Sequence, residues 1–144
     1  MGSIFVDTSA LVKYYYPEEG SERVESIILK AEGVYLCQVA TTEFASALMK
    51  KIRTGNLEVE AQVLIWNTFL DDLDSRQMQL IPLDERHYRK ASEIIRGYGH
   101  KEGIRTLDSL QLVAAFDVYD AMFLSADNFL SDFASKMGFK VEKI

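Results

Sequence analysis

The chain has little of what disulfide-stapled or membrane-spanning proteins need. Its single cysteine, Cys37, excludes a disulfide framework and fits a reducing cytoplasm. Cys37 lies in the mostly apolar run Val34-Tyr35-Leu36-Cys37-Gln38-Val39, with no histidine at a spacing that suggests a thiol nucleophile, so it reads as a small core residue. No apolar run approaches the ~20 residues of a membrane-spanning helix. The N-terminus lacks the basic and apolar regions of a signal peptide, and Met1-Gly2-Ser3 is expected to run straight into the first strand. Prolines number only two, Pro17 and Pro82, and there is no internal repeat, linker or low-complexity segment.

What is present fits one domain, residues 1–144, with 48% apolar residues to build a core. The net charge of −6 speaks against a bulk affinity for nucleic acid. Two divalent cations, or the loss of four carboxylate charges, would bring that −6 to −2. The basic residues are also clustered, at Lys50-Lys51-Ile52-Arg53, at Arg86, at Arg89-Lys90 and from Lys101 to Arg105. Few phosphate contacts are expected.

Strand and helix patterns alternate along the chain. Strands are predicted at Ser3–Val6, Val34–Val39, Met78–Leu83, Ala121–Ser125 and Phe139–Ile144. Helices are predicted at Ser9–Tyr16, Ser21–Ala31, Thr42–Thr54, Leu57–Ser75, from Asp84 as a cap onward, at Leu107–Phe116 and at Asn128–Met137. Asn56 is expected to cap the fourth helix, with Val59, Val63, Trp66, Leu70 and Leu73 along one stripe. Leu64, Ile65 and Phe69 widen that stripe beyond one buried face, which suggests a partner surface. The segment from Gly97 to Gly103 reads as a polar, glycine-rich loop. The alternation predicts an α/β fold with a parallel sheet and helices on both faces. In such sheets a site forms beyond the carboxyl ends of the strands, where strand order reverses.

Four acids stand where the pattern changes: Asp7, Glu43, Asp108 and Asp127. Asp7 and Asp127 each end an apolar run, and Glu43 and Asp108 fall in the first turns of predicted helices. Singly, each is well explained as a helix cap or as an acid that complements a helix dipole. Together they suggest more. Four carboxylates at ~6 Å repel pairwise by roughly 3 kcal/mol at an effective dielectric of about 20, so convergence demands cations or protonation. An all-carboxylate cluster suits Mg²⁺ or Mn²⁺, and the chemistry it suits is phosphodiester hydrolysis by a metal-activated water.

These segments resemble the PIN-domain ribonucleases, and within them the VapC-type toxins of toxin–antitoxin pairs. The resemblance rests on Phe5-Val6-Asp7-Thr8-Ser9-Ala10-Leu11-Val12-Lys13-Tyr14-Tyr15 and Thr106-Leu107-Asp108-Ser109-Leu110-Gln111-Leu112. Glu43 at a helix start and Phe123-Leu124-Ser125-Ala126-Asp127 add weaker matches. It covers essentially the whole chain. It implies a three-layer α/β/α domain with a central, mainly parallel sheet. It also implies an endoribonuclease dependent on one or two Mg²⁺ or Mn²⁺ ions, and a homodimer whose cognate antitoxin blocks the site. Asp7, Glu43, Asp108 and Asp127 map onto the family's acidic quartet. Asp7 and Asp108 would be the main metal ligands, Asp127 a supporting ligand, and Glu43 would act through water. Ser9 and Ser125 fall where the family places hydroxyls beside the quartet, Ser125 in place of the commoner threonine.

Lys13 and Arg105 flank the acids and are candidates to hold RNA phosphates, or are solvated or paired with acids. Tyr14-Tyr15-Tyr16 is read as partly core, with one ring at the cleft edge where a base could stack. His87 reads as the polar edge of a helix; Arg96 with His100 only faintly suggests a metal-independent ribonuclease pair. An aspartyl-phosphate phosphatase would carry a second acid where Ser9 stands. A non-catalytic PIN-like scaffold for RNA or protein is the alternative to an enzyme.

Overall fold

The computed structural model describes all residues, 1–144. Its five strands are β1 (Ser3–Val6), β2 (Gly33–Cys37), β3 (Gln79–Ile81), β4 (Met122–Ser125) and β5 (Lys140–Lys143). Seven helices connect them: α1 (Thr8–Tyr15), α2 (Ser21–Lys30), α3 (Ala40–Arg53), α4 (Val59–Asp74), α5 (Glu85–Glu102), α6 (Thr106–Ala115) and α7 (Asn128–Lys136). The strands form one parallel sheet in the order β3-β2-β1-β4-β5. From β1 the chain winds outward through β2 to β3, then crosses back to lay β4 on the other side of β1. The switch point therefore lies between β1 and β4, which are hydrogen-bonded neighbours with Val6 opposite Leu124. No helix is long and apolar enough to cross a membrane.

The period of two along each strand sorts side chains between two cores. Ile4 and Val6, Val34 and Leu36, and Leu124 face a core completed by α1 to α4. Phe5, Cys37 and Phe123 face the other, completed by α5 to α7. Because both faces are covered, the strands read as continuous apolar runs rather than alternating ones. The first core centres on an aromatic group. Phe44 lies 4.9 Å from Phe69 and 5.4 Å from Tyr15, and Trp66 stacks on Phe44 at 6.2 Å.

Helix ends follow local chemistry where a capping side chain exists. Asp84 accepts from the Arg86 and His87 backbone N–H groups, and His87 Nδ1 accepts from the Asp84 N–H at 3.1 Å. This corrects the reading of His87 as a helix edge. It is 4% exposed, and its Nε2 meets Asp117 at 2.5 Å, tying the start of α5 to the α6–β4 connection.

Three further expectations change. The glycine-rich stretch is helical: α5 continues through Gly97 and Gly99 to Glu102, and Gly103 ends it at φ 67°. Glycine in a helix costs up to about 1 kcal/mol per residue, but packing offsets that here. Tyr98 meets Phe133 edge-on at 5.5 Å, and Lys136 bonds Glu102. Asn56 does not cap α4. Its backbone N–H bonds the Lys51 carbonyl to close α3, and α4 starts after Glu58 with no side-chain cap. The inward face of α4 is also rotated from the predicted stripe. Phe69 is buried, with Ile65, Trp66 and Leu73 packed beside it. Val59, Val63, Leu64 and Leu70 are exposed.

Candidate active-site cleft

Beyond the carboxyl ends of β1 and β4 lies a cleft of about 740 Å³. Asp7, Glu43, Asp108 and Asp127, contributed by four separate parts of the chain, all line it. The capping role and the cleft position coincide in the same residues. Asp7 caps α1 by accepting from the Ala10 N–H at 3.0 Å. Asp127 caps α7 by accepting from the Leu130 N–H at 2.9 Å. Asp108 accepts from the Arg105 N–H at 3.3 Å in the first turn of α6. Glu43 lies in the first turn of α3. Helix N-termini thus point into the cleft, and the acids sit on them.

Asp7 is the most constrained of the four, at 2% exposure. Its Oδ2 accepts from the Ser125 hydroxyl at 2.6 Å and its Oδ1 from the Ser9 hydroxyl at 2.7 Å. Ser9 in turn accepts from the Ala126 N–H at 2.9 Å, and the Asp7 backbone N–H donates to the Leu124 carbonyl. Ser125 ends β4 and Ser9 stands in the first turn of α1, so both hydroxyls reach Asp7 at the switch point. Burial pushes the Asp7 carboxyl up from 3.8 to about 6. The Ser125, Ser9 and Ala10 hydrogen bonds hold it back, and the charge of Asp127 adds to the rise. Asp7, Glu43 and Asp127 form no ion pair with any basic side chain.

The four acids share a cleft without closing on one point. No three acidic, histidine or cysteine side chains gather closely enough to hold a metal ion in this arrangement. Their partners explain the spread. Glu43 Oε1 accepts from Thr8 at 3.0 Å and from Gln111 Nε2 at 2.8 Å. Asp108 Oδ2 accepts from Arg105 Nε at 3.4 Å. The expected tight convergence is thus replaced by a looser ring of carboxylates. The donor set still fits a hard divalent cation: it is all oxygen, and the fold buries the Asp7 carboxylate with no cationic counterpart of its own.

The two basic candidates separate. Arg105 lines the cleft. Lys13 does not: its ammonium bonds the Glu19 carbonyl at 2.7 Å and Glu18 at 3.4 Å. None of Tyr14, Tyr15 and Tyr16 lines the cleft either. Tyr15 is packed in the first core with its hydroxyl on Asp72, and Tyr16 bonds the Asn56 carbonyl. Cys37 is buried, and burial pushes its thiol up to about 11, which suits a core residue and no nucleophile.

Sequence reasoning missed Gln111. It follows Asp108 by one helical turn, is 2% exposed, and donates to both Thr8 and Glu43 across 103 and 68 residues of chain. A polar residue inside the apolar helix α6 was the available signal. Replacing Gln111 with leucine is expected to leave the fold intact, since the two acceptors that lose its donor, the Thr8 hydroxyl and the Glu43 carboxylate, are both partly exposed and keep each other as partners. It should lower any cleavage rate about tenfold through a displaced Glu43. Thermal melting beside kinetics checks this; a variant with unchanged rate means Gln111 only packs.

A doubly wound sheet with a carboxylate-lined cleft at its switch point defines an α/β domain with the layout of a ligand-binding site. The chain belongs to the PIN domain family, whose model matches residues 4–136. No similar protein was found among curated sequences. Several solved structures share the fold, among them the following three. VapBC2 from Rickettsia felis, bound to a DNA fragment from its promoter, is 16% identical with a TM-score of 0.66, over 100% of this chain and 99% of that one. FitAcB from Neisseria gonorrhoeae is 20% identical with a TM-score of 0.61, over 96% and 95%. VapBC-5 from Mycobacterium tuberculosis, a member of the VapBC family of toxin–antitoxin systems, is 19% identical with a TM-score of 0.59, over 99% and 97%.

Proposed function

We propose that this chain is a divalent-metal-dependent endoribonuclease and the toxin of a toxin–antitoxin pair. The observation that carries the reading is the cleft itself: four carboxylates from separate elements line it, and one of them is buried without a counter-charge. Membership in the PIN family and the likeness to toxin–antitoxin structures support the same reading.

In this reading Asp7 and Asp108 would be the main ligands of Mg²⁺ or Mn²⁺, with Asp127 supporting and Glu43 acting through water. The bound ion supplies a nucleophile by lowering the pKa of water, and it offsets charge that builds on the phosphate. The chain's own residues prepare the place. Ser9 and Ser125 fix both oxygens of Asp7. Gln111 and Thr8 fix one oxygen of Glu43. Arg105, which meets Asp108 and is largely exposed at the cleft, would hold a substrate phosphate. The Ser9 and Ser125 hydroxyls serve to hold the Asp7 carboxylate, and in this reading water would be the attacking group. An antitoxin and a second copy of the chain are the protein partners this reading carries. The exposed apolar residues of α4 offer surface for one of them.

Calorimetric titration of the antitoxin-free protein with Mn²⁺ tests the metal site. The wild type is expected to bind one or two ions and Asp108→Asn to lose that binding. A folded wild type that takes up no Mn²⁺ removes the metal from the mechanism and favours a PIN-like scaffold.

A further inference from the structure

The cleft extends past the acids along α3. Glu43, Ser46, Ala47, Lys50 and Arg53 all line it, and this spacing keeps returning to one face of the helix. One stripe thus runs from a carboxylate to two cations. With 1.5 Å of rise per residue, Lys50 lies about 10 Å and Arg53 about 15 Å from Glu43 along the helix axis.

Both side chains are exposed. Neither enters an ion pair, in a molecule where most cations near an acid find one. Cations in a last helical turn also complement the helix dipole, which is the plainer reason for their presence. That reason does not aim them. Lys51, in the same turn, is turned away, paired with Glu18 at 3.2 Å and lying 3.9 Å over the Tyr16 ring. Lys50 and Arg53 are the ones left free and facing the cleft. In a chain of net charge −6, these two unpaired cations put positive charge at one end of a cleft whose other end is acidic.

We propose that Lys50 and Arg53 are a phosphate track, holding the backbone of a single-stranded nucleic acid that runs from the acids along α3. This rests on the nuclease reading above and adds a direction to it. A scissile phosphate at the carboxylates leaves the neighbouring backbone phosphates to reach the two cations. Contacts of this kind fix register and carry no base information, and a charged groove that follows the backbone is the general device for single strands.

The test uses a fluorescently labelled single-stranded oligoribonucleotide and an Asp108→Asn background, which keeps the probe intact. Affinity is measured against salt concentration, before and after Lys50→Gln together with Arg53→Gln. Each lost phosphate contact on a single strand makes the log–log slope shallower by about 0.7, so a change of about 1.4 is expected. With Asp108 restored, KM should rise several-fold with kcat unchanged. Lys50→Arg should keep the slope. Melting temperature, and in the proteins with Asp108 restored Mn²⁺ affinity, should stay at the values seen without the two glutamine substitutions, which separates lost contacts from a damaged fold. Bound RNA with an unchanged slope overturns the track and leaves the nuclease reading standing on wild-type cleavage. Loss of affinity for oligoglutamate without loss for RNA assigns the two cations to an acidic protein segment and also overturns it. A parent that neither binds nor, as wild type, cleaves any RNA sinks both.

Discussion

Asp7→Asn and Asp108→Asn are each expected to abolish RNA cleavage, by about a thousandfold or more, while the protein stays folded. A cation held by these carboxylates would contribute several kcal/mol of charge stabilisation in the transition state, and each 1.36 kcal/mol is a factor of ten in rate. Asparagine keeps the size and one carbonyl oxygen, so the caps survive. In Asp7→Asn the side-chain carbonyl can still accept from the Ala10 N–H, and the Ser125 hydroxyl, which also accepts from the Asp127 N–H, can reorient. Single-turnover cleavage of an RNA pool beside far-ultraviolet circular dichroism measures both properties. Wild-type rates in either variant would remove the four acids from the chemistry.

The second large effect is on stability and has the opposite sign from an ordinary core mutation. Folding raises the Asp7 pKa from 3.8 to about 6, so the folded state binds this proton more tightly than the unfolded chain. Below the lower value both states are protonated and the group costs nothing. As pH rises through the window, the unfolded chain ionises first and stability falls. Above the higher value the full cost is present, about 3 kcal/mol for a rise of that size. Metal-free Asp7→Asn should therefore be more stable than wild type near pH 7, and the gap should shrink by about 2 kcal/mol near pH 4.5. Urea unfolding in EDTA at both pH values measures it. Added Mn²⁺ should close the neutral-pH gap by stabilising the wild type alone. A pH-independent difference between the two proteins would mean that Asp7 is not the buried, uncompensated charge described here. Together the two results would mark Asp7 as a residue kept for function at the expense of stability.

Much of the fold was readable because its signals are local. Pro17 stops α1, and Asp84 carries the cap of α5 in its own side chain. The run from Asp108 to Ala115 is wholly buried, as an all-round apolar helix should be. The failures are equally specific. Gly97 and Gly99 looked like a loop by composition, but Tyr98 against Phe133 and Glu102 against Lys136 hold them in a helix. The α4 sequence offers apolar residues around most of its circumference. Its inward face was decided by where Phe44 and Tyr15 stood to meet Phe69.

The same division holds at the cleft. Residue order alone was enough for the alternation of strands and helices, for the family resemblance, and for the positions of Asp7, Asp108 and Asp127 at element ends. Cap chemistry and hydrophobic period act over a few residues, so they are written in a few residues. Assembly of the sheet was needed to make β1 and β4 neighbours, which brings Ser9 and Ser125 onto Asp7. Assembly also brought Gln111 to Glu43, turned Lys13 and the tyrosines away, and aimed Lys50 and Arg53 into the cleft. Those outcomes depend on burial, strand order and competition among partners dozens of residues apart. No local pattern carries that information, because the free energy that selects each partner exists only once the layers have packed.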